Sequence, residues 1–150
     1  MNISFDLDGT LIPFANEFET EPLGKIPKYF GIERLRLGSK KLISELRQKG
    51  HEIHIYTTSF RSKRTIRRTF NFYGIKIDRI VNQRENQKVL YQKNIGASKF
   101  PPEFNFDIHI DDLKGVGLEG ETYNFKTIII EANQMNWSEM IKNEIDNFLI

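Results

Sequence analysis

The sequence predicts an α/β fold: a three-layer, Rossmann-like, mostly parallel sheet with helices on both faces. Three observations predict it. Short apolar runs rich in Ile and Phe recur along the chain, and segments with the apolar spacing of helices separate them. Acidic or hydroxyl residues follow several of these runs, where an open α/β sheet presents its ligand-binding groups. The chain has 150 residues, 39% hydrophobic and 28% charged, which suits one domain (1–150) with a buried core.

Taken in order, residues 2–7 (NISFDL) read as the first strand, running into the turn at Asp8, Gly9 and Thr10. Residues 12–38 contain Pro13, Pro22, Gly24, Pro27 and Gly31 and read as a long irregular insertion. A hairpin flap or a small helix around Pro27 to Phe30 is expected there, and the segment is too short for a full second domain. Ser39 is the expected N-cap of a helix through Lys49, with Leu42, Ile43 and Leu46 on one face and Gly50 as its stop.

Residues 51–56 (HEIHIY) form the next expected strand, broken by Thr57, Thr58 and Ser59. A helix over 61–72, a strand over 75–81 (IKIDRIV) and a helix over 85–93 follow. After Pro101 and Pro102, residues 106–110 (FDIHI) read as a strand ending at Asp111 and Asp112. Residues 115–120 (GVGLEG) fit the G-x-G-x-x-G pattern, but a dinucleotide fingerprint must open a helix. None is expected before the strand at 126–131 (KTIIIE), so the segment reads as a glycine-rich loop. A helix over 137–150 closes the chain, with Trp137 anchoring it to the core.

Composition narrows the function. The formal charge of +2 is no nucleic-acid signature. The absence of cysteine excludes disulfides and thiolate chemistry. No basic-then-apolar leader and no apolar run of membrane-spanning length is present, so a cytoplasmic protein without a membrane partner is expected. No signal for oligomeric state is present.

Under this reading Asp6, Thr57, Asp111 and Asp112 all stand at strand ends on one rim. Converging carboxylates repel one another unless a cation or a proton intervenes. Magnesium prefers oxygen ligands, taking one or two carboxylates together with substrate phosphate oxygens. With no cysteine and no histidine cluster, zinc fits poorly. An oxygen-only set around Mg2+ points to phosphoryl transfer.

The run Asp6-Leu7-Asp8-Gly9-Thr10, then Thr57, a lysine, and finally Asp111-Asp112 resembles the haloacid dehalogenase (HAD) superfamily, in a capless or minimally capped, phosphatase-like form. The resemblance implies that Asp6 is a nucleophile forming an aspartyl-phosphate and Asp8 a general acid and base. It implies metal ligation by Asp6, Asp8 (through its backbone carbonyl) and Asp111, with Asp112 a metal ligand through water or an orienting group, and a phosphoryl contact from Thr57. The required lysine is Lys99, preferred over Lys88 and Lys93 because it precedes the FDIHIDD strand directly. Thr10 shapes the turn.

Thr58, Arg61 and Arg64 are candidate substrate-binding residues. Arg61, Arg64 and Arg68 share one expected helix face, whose bland reading is a solvated surface and whose alternative is a polynucleotide contact. His51, His54 and His109 read as strand residues with packing or edge roles. The expected function is a magnesium-dependent phosphohydrolase acting on phosphomonoesters, small or macromolecular. A phosphotransferase using the same site and a non-catalytic, nucleic-acid-binding scaffold are the alternatives. Dehalogenation does not need Asp8, and a receiver domain would carry its acidic pair at the first strand.

Overall fold

The computed structural model describes residues 1–24 and 30–149. Its strands are β1 (Asn2–Phe5), β2 (Glu52–Tyr56), β3 (Arg79–Val81), β4 (Ile108–Asp111) and β5 (Lys126–Ile129). The helices are α1 (Ser39–Gln48), α2 (Lys63–Phe72), α3 (Gln83–Lys93), α4 (Lys114–Tyr123) and α5 (Trp137–Asn147). The strands form one five-stranded sheet in the order β3-β2-β1-β4-β5, with every pairing parallel. The expected α/β class holds.

Strand alternation sorts side chains between the two faces. Ile3 and Phe5 of β1, Ile53 and Ile55 of β2 and Ile108 and Ile110 of β4 share one core with Leu42, Ile43 and Leu46 of α1, Ile66 and Phe70 of α2, and Ile141 and Ile145 of α5. The opposite face carries Tyr56 and Val81, packed with Phe104, Phe106 and Val89 of α3. Ser4 and His109, also buried, alternate out of the first core. Right-handed crossovers require this division: the chain steps one way through β1, β2 and β3, then returns past β1 to β4 and β5. The reversal falls between β1 and β4, the crevice where open α/β sheets bind ligands.

Several boundaries differ from expectation for identifiable reasons. The ladder at β3 holds only three residues, because Ile75 and Ile77 are buried by packing without joining the ladder. Ser39 is the first helical residue and not the cap; Gly38 caps α1 at φ 93°, and Ser39 Oγ donates to the Arg36 carbonyl. Helix α2 starts at Lys63 behind the cap Ser62, whose Oγ accepts from Thr65 N at 3.1 Å, so Arg61 lies ahead of the helix. Residues 115–120 are helical and not a loop. Gly117 and Gly120 sit within α4, where a Cβ would lie 3.0 Å from Ile129 Cγ1 and 2.9 Å from the Phe125 carbonyl oxygen. Close packing on β5 outweighs the low helix propensity of glycine there. Since the pattern lies inside the helix instead of opening it, the dinucleotide reading fails on this ground.

In the insertion, Thr20 bridges Arg36 in antiparallel fashion, supported by Glu21 N to the Leu35 carbonyl and Leu37 N to the Glu19 carbonyl. This is the stem of a hairpin. The small helix expected near Pro27 to Phe30 falls mostly outside the described residues. Among the described residues no helix is long and apolar enough to cross a membrane.

One ion pair ties α1 to the edge of β2. Asp78 accepts from Arg47 Nη1 at 2.5 Å and from Ile53 N at 2.9 Å. Burial pushes its carboxyl up, but the Arg47 and backbone hydrogen bonds outweigh this and hold it at about 2. A depressed carboxyl stabilises the fold above its unfolded value near 3.8, and the contribution fades as pH falls from about 4 to 2. Asp78→Ala is expected to cost about 1–3 kcal/mol at pH 7, read by urea unfolding. The gap to wild type should narrow at pH 3; an undiminished gap would refute the electrostatic account.

Candidate active site

The site follows from the register of β1 on β4. Ser4 lies opposite His109 and Phe5 opposite Ile110, and Asp6 N then donates to the Ile110 carbonyl at 2.8 Å. Alternation therefore brings Ser4 and Asp6 from β1 and its extension, and His109 and Asp111 from β4, to the same face. Lys99 reaches this face from the loop after α3, and its Nζ donates to Asp6 Oδ1 at 2.5 Å and to Asp111 Oδ2 at 2.6 Å. The lysine is 1% exposed. Of the alternatives, Lys93 pairs with Glu103 at 3.2 Å, and Lys88 lies on α3.

The Lys99 loop is held from three sides. Tyr56 donates its hydroxyl proton to Asn86 Oδ1 at 2.5 Å and accepts from Phe100 N at 2.8 Å. Asn86 Nδ2 donates to the Ser98 carbonyl, and Glu119 on α4 accepts from Ser98 N, Ser98 Oγ and Lys99 N. A long buried side chain loses much rotamer freedom, and this framework fixes where its ammonium lands.

Asp111 is fully buried. It accepts from Leu113 N through Oδ1 and touches His109 Nε2 at 3.0 Å through Oδ2. His109 Nδ1 lies 2.9 Å from Ser4 Oγ. Burial lowers the His109 pKa; a neutral ring with its proton on Nε2 donates to Asp111 and accepts from Ser4. Burial alone would raise Asp111, yet the bond from His109 and the charge of Lys99 hold it below the ordinary carboxylate range. Asp6 goes the other way: burial raises it to about 7 even beside Lys99, and the neighbouring Asp111 charge adds to the rise. Lys99 is held above its usual value, since Asp6 and Asp111 outweigh its desolvation.

Gly9 takes φ 82°, and a Cβ there would overlap the Asp112 carboxylate, so the turn needs glycine on both counts. Thr10, fully buried, donates to Asp112 Oδ1 at 3.0 Å, and burial raises the Asp112 carboxyl. Carboxylate oxygens of Asp6, Asp111 and Asp112 all lie within 4.8 Å of one another. The Asp8 side chain is outside this cluster and is bound by Arg61 Nη1 at 2.7 Å.

Arg61 lies ahead of the helix expected to carry it. Its guanidinium joins Asp8 to Glu33 of the insertion, donating to Glu33 Oε1 through Nε at 3.0 Å and Nη2 at 2.8 Å. Thr57 is buried at the end of β2, with its Oγ1 accepting from Ser59 N at 3.0 Å. Thr58 and Arg64 are exposed just beyond it. His109 and Glu33 were missed as site residues. The signal for His109 is its two-residue offset from Asp111, legible only once that strand is placed beside β1; nothing in the sequence pairs Glu33 with Arg61.

Three carboxylates against one ammonium leave two negative charges if all are ionised. Burial raises the Asp6 carboxyl and the Asp111 charge adds to the rise, and an all-oxygen cluster of this kind could hold a hard cation.

No protein-family model matches the chain, and no curated protein matches it. Among solved structures, a chain from the structure of the Pnkp1/Rnl/Hen1 RNA repair complex superposes with a TM-score of 0.55 at 16% identity. The match covers 86% of this chain and 42% of that one, so this chain spans less than half the length of the chain it resembles. The likeness is one of fold.

Proposed function

We propose that this chain is a phosphohydrolase of the HAD type that cleaves phosphomonoesters with the aid of Mg2+. The observation that carries the reading is Lys99 held between Asp6 and Asp111, beside Asp112, at the chain reversal of a parallel sheet. A binding scaffold has no physical need to bury such a charge cluster, whose assembly is costly without a task.

In this reading Asp6 attacks phosphorus, the bond to the leaving oxygen breaks, and an acyl phosphate forms on Asp6. Asp8 gives a proton to the leaving alcohol, then takes one from the water that hydrolyses the acyl phosphate. Arg61, fixed by Glu33, orients Asp8 for both transfers. Lys99 neutralises Asp6 and the incoming phosphoryl charge. Thr57 bonds a phosphoryl oxygen, and Thr58 and Arg64 meet the remainder of the substrate. Mg2+, held by Asp6, Asp111, Asp112 and the Asp8 backbone carbonyl, would supply charge neutralisation for the transferred group. Transfer to an acceptor other than water would use the same residues.

The test is phosphate release from a panel of small phosphomonoesters and phosphorylated nucleic-acid ends. The RNA repair complex that contains the fold relative is the reason for including the latter. Release should stop on chelation and return with magnesium, while calcium, which takes looser and higher coordination, should not restore it. Release that persists in full under chelation would rule out the metal-dependent reading.

A further inference from the structure

The net charge of +2 hides an uneven distribution. From Arg61 to Lys93 stand ten Lys and Arg against two Asp and Glu, which leaves twelve against eighteen elsewhere. This stretch therefore carries +8 and the remainder −6. It builds α2, β3 and α3, and β3 is an edge strand of the sheet. Helix α2 packs on one face of the sheet and α3 on the other, so the two straddle that edge. A flank of this charge draws polyanions whatever the total for the chain.

Along α3 this charge lines a groove. An open depression of about 720 Å³ lies between α3 and residues 97–98, lined by Gln83, Arg84, Lys88, Tyr91 and Ser98 among others, and none of the described residues lining it is acidic. Arg84 and Lys88 are exposed and form no ion pair among the described residues. By contrast Lys63, Lys76, Arg79 and Lys93 of the same stretch each meet a carboxylate. Arg84, Lys88 and Tyr91 are spaced four and three residues apart, so they follow one another on a single helix face. Tyr91 is 89% exposed. A surface that serves solubility mixes both signs and keeps aromatic rings covered. The start of α3 also touches the rim of the reaction site. Gln83 N donates to the Ser59 carbonyl at 3.0 Å, and Ser59 Oγ accepts at 2.8 Å from Arg61 Nη1, the same nitrogen that holds Asp8. Across the groove, Ser98 directly precedes Lys99, whose Nζ lies between Asp6 and Asp111.

The lining selects an occupant. An acidic peptide would satisfy the cations and leave the ring uncovered. A polynucleotide carries a charged phosphate and a stacking face in every unit, and so answers both. An unpaired strand presents its bases to such a ring, whereas a duplex hides them. We propose that the α3 groove binds a single-stranded polynucleotide, with Arg84 and Lys88 on backbone phosphates and Tyr91 stacked on a base, and that the phosphorylated end of this strand is what the reaction site receives. The role of the end as substrate rests on the phosphohydrolase reading; the binding of the strand does not.

Binding is measured by fluorescence anisotropy in the presence of a chelator, so that no metal-dependent turnover intervenes. The probes are labelled single strands of about 12 nucleotides with a terminal phosphate, and polyglutamate of equal charge as the polyanion without bases. The strand should bind at low salt and weaken as salt rises, with a log–log slope of about −0.7 for each phosphate contacted. Arg84→Glu combined with Lys88→Glu should flatten that slope by about 1.4, the share of two phosphates. Lys40→Glu combined with Lys41→Glu makes the same change in net charge on α1, outside the basic stretch, and should leave the slope as it is. Tyr91→Ala should weaken strand binding about tenfold, the scale of one stacked base, and should not alter the binding of polyglutamate. No strand binding at low salt, an unchanged slope in a folded Arg84→Glu/Lys88→Glu protein, or polyglutamate bound as tightly as the strand would overturn the proposal. Strand binding with these responses, but no phosphate released with magnesium from the strand or from any small ester, would keep the groove and defeat the phosphohydrolase reading instead.

Discussion

Asp6→Asn is expected to cut phosphate release by about 10⁴-fold or more while leaving the sheet folded, a loss on the scale of removing a nucleophile. The amide keeps the size of the carboxylate, and its oxygen can still accept from Lys99. What it lacks is a charged oxygen able to form an acyl phosphate. Because burial already raises the Asp6 carboxyl to about 7, a neutral group at this position does not carry the desolvation cost that the charge does. Thermal unfolding of the variant, measured without metal, should therefore match or exceed wild type. Activity retained in a well-folded Asp6→Asn protein would remove Asp6 from the nucleophile role. Loss of both activity and folding would show that the charge, and not the chemistry, is what the position supplies.

That split between chemistry and folding also explains how much the sequence discloses. Apolar runs ending in acidic or hydroxyl residues were sufficient to locate β1, β2, β4 and β5, because buried parallel strands need near-continuous apolar side chains. Asp6, Asp111 and Asp112 were legible for the same reason: a charge at the end of such a run is out of place unless it has a task. Helix α4 was not legible, since its glycines answer to the approach of Ile129 and the Phe125 carbonyl, contacts set by a strand still to come. Arg61 was placed on a helix because its spacing matches Arg64 and Arg68, whereas the Ser62 cap starts that helix after it. His109 and Glu33 act through partners more than 25 residues away or across a register, and Arg36 acts through three carbonyls of a distant loop. Local pattern carries the elements; the groups that orient the site depend on tertiary neighbours that no local window contains.

The second large effect concerns the charge balance itself. Lys99→Met keeps the length and apolar stem of the side chain but deletes the ammonium between Asp6 and Asp111. Breaking a buried pair by removing one partner leaves uncompensated charge, so the expected cost is about 3–5 kcal/mol by urea unfolding, together with loss of phosphate release. Two further measurements separate electrostatics from packing. Adding magnesium should stabilise Lys99→Met more than wild type, because a divalent cation at the carboxylates replaces the missing positive charge. Combining Lys99→Met with Asp6→Asn should cost less than the sum of the two, since the second change removes one of the charges the first left unpaired. Strict additivity, with no extra stabilisation from magnesium, would mean that the lysine stem fills space and that its charge does not hold the site together.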